Sequence, residues 1–169
     1  MMKNLVKMIK VTAAVAIIAL IFSGPAFAAD NASATVTYAV SGINEIAVSG
    51  SPGAMTISTA TAGSEPDPVE DATTTYAFTT NQTTRKITGA LSANMPSGLT
   101  LEVNLAAAGA PNAWSSTGYQ SLSTSAADLA TGGRKRASGL TITYRLSATV
   151  DAGEVSSGTT NVTYTLTSQ

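Results

Sequence analysis

The stretch SEPDPVED holds the densest group of ionisable side chains in the sequence. Carboxylate oxygens on a loop suit Ca²⁺, because this cation accepts oxygen ligands in a flexible geometry. The spacing differs from that of an EF-hand loop, however, and Pro66 and Pro68 keep the backbone extended. Two interpretations stay open: a solvated acidic loop, which the spacing favours, and a weak calcium site with the ligands Glu65, Asp67, Glu70 and Asp71.

A second cluster, GGRKRASG, places Arg134, Lys135 and Arg136 between glycines. Three positive charges in a row could bind a phosphate or an anionic polymer, or they could mark a loop that proteases reach. Such a short run is most often a solvated turn, and the sequence favours that interpretation.

The sequence contains no histidine and no cysteine. It therefore has no Ser-His-Asp triad, no thiolate nucleophile and no His/Cys zinc site. A Ser–Lys dyad in the mature chain would need Lys86 or Lys135, and we expect both to be solvated. Glycosidase carboxylates could be drawn from the acidic stretch, but a lone tryptophan gives no sign of an aromatic groove. The sequence predicts a protein that is not an enzyme and uses no cofactor other than the calcium considered above.

Trp114 is the only tryptophan, and it stands in the loop-like stretch AAAGAPNAWSSTGY. An exposed indole there would be a candidate contact for a glycan or another surface ligand. A large aromatic ring also buries much apolar area, which favours a second interpretation of Trp114 as a packing anchor. The first interpretation predicts an exposed ring, and the second predicts a buried one.

Residues 1–28 have the features of a signal peptide. Lys3, Lys7 and Lys10 precede the apolar run VTAAVAIIALIF, and Ala28 closes an A-x-A cleavage site. We expect cleavage there and an exported protein that is extracellular, on the cell surface or periplasmic. The mature chain has no second apolar stretch of spanning length, so we expect no membrane contact after cleavage.

The chain carries few charges, with a net charge of −1. Removal of three lysines with the signal peptide makes the mature chain more acidic. Nucleic-acid binding depends on neutralisation of phosphates by basic residues, so we expect no nucleic-acid partner. The abundant Ser and Thr residues, beside Val, Ile, Leu and Tyr, favour half-buried strands.

Alternation of apolar and polar residues recurs along the mature chain and predicts β-strands. The clearest strand is MPSGLTLEVNL, the longest is GLTITYRLSATV, and AMTIST predicts a further one. AADLATGG is compatible with a helical turn closed by Gly132. About seven to nine short strands predict one all-β domain over residues 29–169, an antiparallel β-sandwich with Ig-like, jelly-roll or Greek-key wiring. A closed barrel is the alternative.

Two alternating segments near the ends of the mature chain contain neither charge nor proline. An uncharged strand at a sheet edge is a template for a strand from another chain. One hypothesis is that residues 29–41 donate a strand to a neighbour after a flexible break at Ser41-Gly42. The other is that both segments complete their own sandwich. The donor side chains would be Ala34, Val36, Tyr38 and Val40, and the accepting or closing edge would contain Val162, Tyr164 and Leu166.

In this layout the chain resembles secreted coat and fimbrial subunits, namely spore coat protein U-type domains and chaperone–usher pilins. The shared features are the signal peptide, the Ser/Thr/Ala-rich all-β body, the alternating ATVTYAV and the VTYTLT strand. The resemblance implies an exported structural protein, a subunit of a surface fibre, coat or extracellular matrix that self-associates by β-strand addition. The alternative is a monomeric secreted module that binds a carbohydrate or a surface protein.

Overall fold

The computed structural model describes residues 31–169. The predicted signal peptide, residues 1–28, lies outside the described residues. Contacts between residues divide the chain after Ala39, and residues 40–169 form one compact unit. Residues 31–39 belong to the other unit. None of the described residues lies in a helix that is long and apolar enough to cross a membrane.

The described residues form nine β-strands and one short 3-10 turn, Val150–Ala152. The strands are β1 (Asn44–Ser49), β2 (Val69–Thr80), β3 (Arg85–Leu91), β4 (Leu99–Leu105), β5 (Ser115–Ser116), β6 (Gln120–Ser121), β7 (Ala127–Gly132), β8 (Lys135–Ala148) and β9 (Val162–Ser168). Each strand pairs antiparallel with its neighbours. The predicted all-β fold class is therefore confirmed.

Two antiparallel sheets make up the sandwich-like body. The five-stranded sheet has the order β1-β2-β8-β4-β6, and the four-stranded sheet has the order β5-β7-β3-β9. β1 and β9 are edge strands of different sheets, and they contact each other. These two edges therefore lie on the same side of the molecule.

The strand β4 shows how the sequence pattern produces the core. Leu101, Val103 and Leu105 are buried, whereas Glu102 and Asn104 between them are only partly covered. Successive side chains of a strand point to opposite faces, so only one set can enter the core. Burial of each large apolar side chain contributes about 2 kcal/mol. A shift by one residue would lose all three contributions, and the register is therefore fixed.

The stretch AADLATGG forms β7, and the prediction of a helical turn there was wrong. Leu129 and Ala130 are buried, and Ala130 lies opposite Ile87 of β3. A glycine-closed turn is a local preference, whereas pairing with β3 buries Leu129 and satisfies the backbone as well. Packing over a long sequence separation overrides the local preference.

Residues 54–60, which contain the predicted strand AMTIST, lie outside any strand. Met55 and Ile57 are half-buried and their neighbours are exposed, so the side chains alternate as the sequence suggests. The backbone pairs only near the following turn, where the Asp67 N–H donates to Thr59 O at 2.9 Å. The pattern thus predicted which side chains face inward but not the strand pairing.

Candidate functional site

The alternating segment of residues 34–40 is exposed over its whole length. The side chains of Val36, Tyr38 and Val40 are 76%, 89% and 80% exposed. None of the residues 31–43 lies in a strand, so the strand predicted there, which also includes Ala34, is not formed in this structure. A contiguous row of exposed apolar side chains commonly marks a surface that binds a partner.

Asn81, in the loop between β2 and β3, holds the backbone where the sandwich unit begins. Its Nδ2 donates to Ser41 O at 2.8 Å, and its Oδ1 accepts from the Ile43 N–H at 2.8 Å. The side chain of Gln82 occupies the space that a Cβ at Gly42 would need. The predicted flexible break at Ser41-Gly42 is instead a fixed point. Sequence reasoning missed this role of Asn81, because contacts between distant residues leave no local pattern.

The strand β9 contains the candidate accepting edge. It pairs with β3 over its whole length, with Gly89 opposite Tyr164. Within residues 40–169, no strand pairs with its other edge. Its inward side chains pack against the core but stay half-buried, namely Val162, Tyr164 and Leu166. The strand therefore completes its own sheet on one side and presents unpaired backbone groups on the other.

Two tyrosines join the sheets beside this edge. The Tyr164 hydroxyl in β9 donates to the Tyr144 hydroxyl in β8 at 2.9 Å. Burial raises the pKa of both phenols, and the hydrogen bond to Tyr144 raises the pKa of Tyr164 further. Both groups are therefore neutral near pH 7, and the pair acts as a structural hydrogen bond between the sheets.

Trp114 lies in the core and is 2% exposed. Its ring centroid is 4.5 Å from that of Phe78, and its Nε1 donates to Gly133 O at 2.8 Å. Gly132 makes room for the indole, since a Cβ there would lie 2.4 Å from the ring. An enclosed ring is out of reach of a ligand in solvent, so the candidate ligand contact at Trp114 is corrected to a packing anchor.

The four carboxylates of the acidic stretch do not converge. Glu65 accepts from the Val150 N–H at 2.6 Å, and Glu70 accepts from the Tyr119 hydroxyl at 2.8 Å. Asp71 accepts from backbone and hydroxyl groups close to it. Within residues 31–169, no group of three or more acidic, histidine or cysteine side chains could hold a metal ion. The structure therefore does not form the calcium site considered at Glu65, Asp67, Glu70 and Asp71.

The basic cluster contributes to loop structure. Arg134 Nε donates to Asn81 O at 2.9 Å, and Lys135 Nζ donates to two carbonyls of the loop between β4 and β5. Arg136 is exposed in β8. Arg134 and Lys135 thus hold two loops at the end of the sandwich. The sequence had favoured a solvated turn without such contacts.

A polar row on the five-stranded sheet was also missed by the sequence reasoning. Arg145 lies 2.7 Å from Glu102, and its guanidinium lies 4.0 Å from the centroid of the Tyr119 ring. Glu70 and Glu102 flank Arg145 in the strand register. The Arg145–Glu102 pair is half-buried and joins β8 to β4, so this row supports the pairing of β2, β8 and β4 and suggests no chemistry.

Comparison with family models, with curated proteins and with solved structures finds no match to this chain. The resemblance to coat and fimbrial subunits therefore stays a prediction.

Proposed function

We propose that this protein is an exported structural protein, a subunit of a surface fibre, coat or extracellular matrix that assembles by β-strand addition. Residues 34–40 of one copy pair with the free edge of β9 in the next. The observation that carries this proposal is that one chain combines a row of exposed apolar side chains with an unpaired strand edge. Neither β9 nor residues 31–43 contain a charged residue, so no like-charge repulsion opposes their pairing.

Burial of Val36, Tyr38 and Val40 would supply much of the driving force. Each large apolar side chain contributes about 2 kcal/mol when it leaves water. Each new backbone hydrogen bond to β9 adds roughly 1 kcal/mol. Association and ordering of the segment cost roughly 4–15 kcal/mol, so loss of these side chains should abolish assembly.

The proposed contact joins different surfaces of the two copies. Such a head-to-tail contact is heterologous, and its repetition builds an open filament unless the rotation closes a ring. The features that predict a cleaved signal peptide over residues 1–28 support export, and the resemblance to fimbrial and coat subunits supports the structural role.

The test compares three forms of the mature chain, residues 29–169, over a range of concentrations. The first is unaltered, the second carries V36S, Y38S and V40S, and the third carries T35S and T37S on the alternate positions. Negative-stain electron microscopy and light scattering should show filaments for the first and third forms. The second form should remain monomeric with an unchanged circular dichroism spectrum, because the altered side chains are exposed.

Two results would contradict the proposal in different ways. Compact particles of the unaltered chain at every concentration would rule out assembly by strand addition and favour the monomeric binding module. If the variant with V36S, Y38S and V40S forms filaments as well as the unaltered chain does, residues 34–40 are not the donor strand.

A further inference from the structure

A cavity of about 970 Å³ opens between residues 54–60 and residues 153–160. Its apolar lining includes Met55, Ile57, Met95, Leu146 and Val155. None of the described residues that line it carries a charge. Val155 at its rim is 42% exposed, so the apolar surface is uncovered in this structure. A concave, largely apolar space of this size is typical of a site that binds another molecule or segment.

The two walls of the cavity have free backbone groups. Residues 54–58 and 154–159 lie in no strand, and their N–H and C=O groups have no backbone partner within residues 31–169. Thr160 also lines the cavity, and β9 begins at Val162, so the cavity lies beside the start of β9. Backbone groups beside an apolar space are best satisfied by another peptide backbone.

We propose that this cavity receives residues 34–40 of a second copy, with Val36 and Tyr38 entering it while the backbone of the segment runs along β9. The inference rests on the proposed assembly by strand addition and names the receiving surface. The segment and the cavity lining are both uncharged, and the segment offers alternate apolar side chains together with free N–H and C=O groups. A small apolar molecule could fill the cavity but would leave the backbone of its walls unpaired.

Cysteine cross-linking tests the position, because the natural chain has no cysteine. A disulfide forms when two Cα atoms approach within about 6 Å. The V36C variant is mixed with V155C, at the cavity, or with S115C. Ser115 is exposed in β5, the edge strand opposite β9 in the four-stranded sheet. One partner is isotope-labelled so that mixed dimers are recognised by mass. We expect mixed dimers of V36C with V155C and few with S115C.

A charge placed at the cavity gives a second, independent measurement. Ser58 is exposed and lines the cavity, so S58D should leave the fold intact while it opposes entry of an apolar segment. We expect S58D to suppress filaments, whereas S115D should form them as the unaltered chain does.

The outcomes separate this inference from the proposed function. If the unaltered chain forms filaments but V36C cross-links to S115C as readily as to V155C, the cavity is not the receiving surface. Assembly by strand addition would still stand. Normal filaments of S58D would overturn the cavity in the same way. Failure of the unaltered chain to assemble would overturn both proposals.

Discussion

The hydroxyl of Tyr164 in the edge strand β9 donates a hydrogen bond over 2.9 Å to the hydroxyl of Tyr144 in β8, a central strand of the opposite sheet. Tyr144 is buried and Tyr164 is half-buried. Removal of one oxygen leaves the other without this partner, and an unsatisfied buried hydroxyl costs more than the net gain from the bond. The free edge of β9 is therefore tied to the opposite sheet through this pair.

The variants Tyr164→Phe and Tyr144→Phe should each lower the free energy of unfolding by about 1–2 kcal/mol, because each orphans one hydroxyl. The double variant should lose less than the sum of the two, since no orphan remains. Urea unfolding followed by circular dichroism measures all three values, with Tyr38→Phe as a control on an exposed hydroxyl. Strict additivity would show that the two hydroxyls do not interact in solution.

Alkaline pH should destabilise the fold. Burial raises the pKa of Tyr76 from 10.0 to about 12, and burial also raises the pKa values of Tyr144 and Tyr164. The folded chain holds these protons where the unfolded chain has released them, so the stabilisation is complete below pH 10 and is lost between pH 10 and 12 for Tyr76. The slope is roughly 1.4 kcal/mol per pH unit for each retained proton.

Absorbance of tyrosinate at 295 nm, recorded beside circular dichroism, checks this prediction. Part of the tyrosine absorbance should appear only as the protein unfolds. A single transition near pH 10 with the fold intact would contradict the burial of these phenols.

The variant Gly132→Ala should lower stability by about 1–3 kcal/mol, because its Cβ would lie 2.4 Å from the indole of Trp114 in a packed core. Gly133→Ala is the matched control, since no atom lies within 4 Å of a Cβ there. Thermal unfolding gives the difference, and Trp114 fluorescence should shift to longer wavelength in the first variant alone. Equal melting temperatures would show that the indole does not pack against residue 132.

The variant Asn81→Ala should loosen the backbone at the start of the sandwich unit, because it removes both side-chain hydrogen bonds to Ser41 and Ile43 and leaves only the backbone bond to Ile43 O. Hydrogen exchange at the Ile43 amide should speed up, while exchange in β3 and β8 should stay unchanged. Thr83→Ala, an exposed position in the same loop, serves as the control. An unaltered Ile43 exchange rate in Asn81→Ala would mean that the hydrogen bond from the Ile43 N–H to the Asn81 side chain is absent in solution.

The fold class was predictable because alternation over a strand states which face is buried. Leu101, Val103 and Leu105 of β4 show this directly. The prediction of a helical turn at 126–133 was wrong because a glycine-closed turn is a local preference, whereas the buried position of Leu129 depends on β3, far away in the sequence. Strand pairing also depends on distant residues, so the alternation around Met55 predicted that its side chain faces inward but did not produce a strand there.

The candidate site was predictable in part. The residues of the exposed segment and of β9 could be chosen from alternation and lack of charge. The cavity between residues 54–60 and 153–160 was not predictable, because the alternation in AMTIST shows which side chains face inward but not which stretch of chain lies beside them. The size of its ring favoured a buried Trp114, but its contacts with Phe78 and Gly132 were not predictable, because they join residues far apart in the sequence.

The way in which β9 is held would have a mechanical consequence if the chain forms the proposed fibre and that fibre bears tension. Seven registered residue pairs join β9 to β3, from Arg85 opposite Ser168 to Leu91 opposite Val162. A pull along the strand axis would load these pairs simultaneously, so they would share the force. At the other point of attachment, Asn81 holds the backbone at Ser41 and Ile43 through two side-chain hydrogen bonds and one backbone hydrogen bond of 3.3 Å to Ile43 O. Stretching should therefore break the hydrogen bonds of Asn81 to Ser41 and Ile43 first. Each subunit would then lengthen slightly while β9 stays in its sheet.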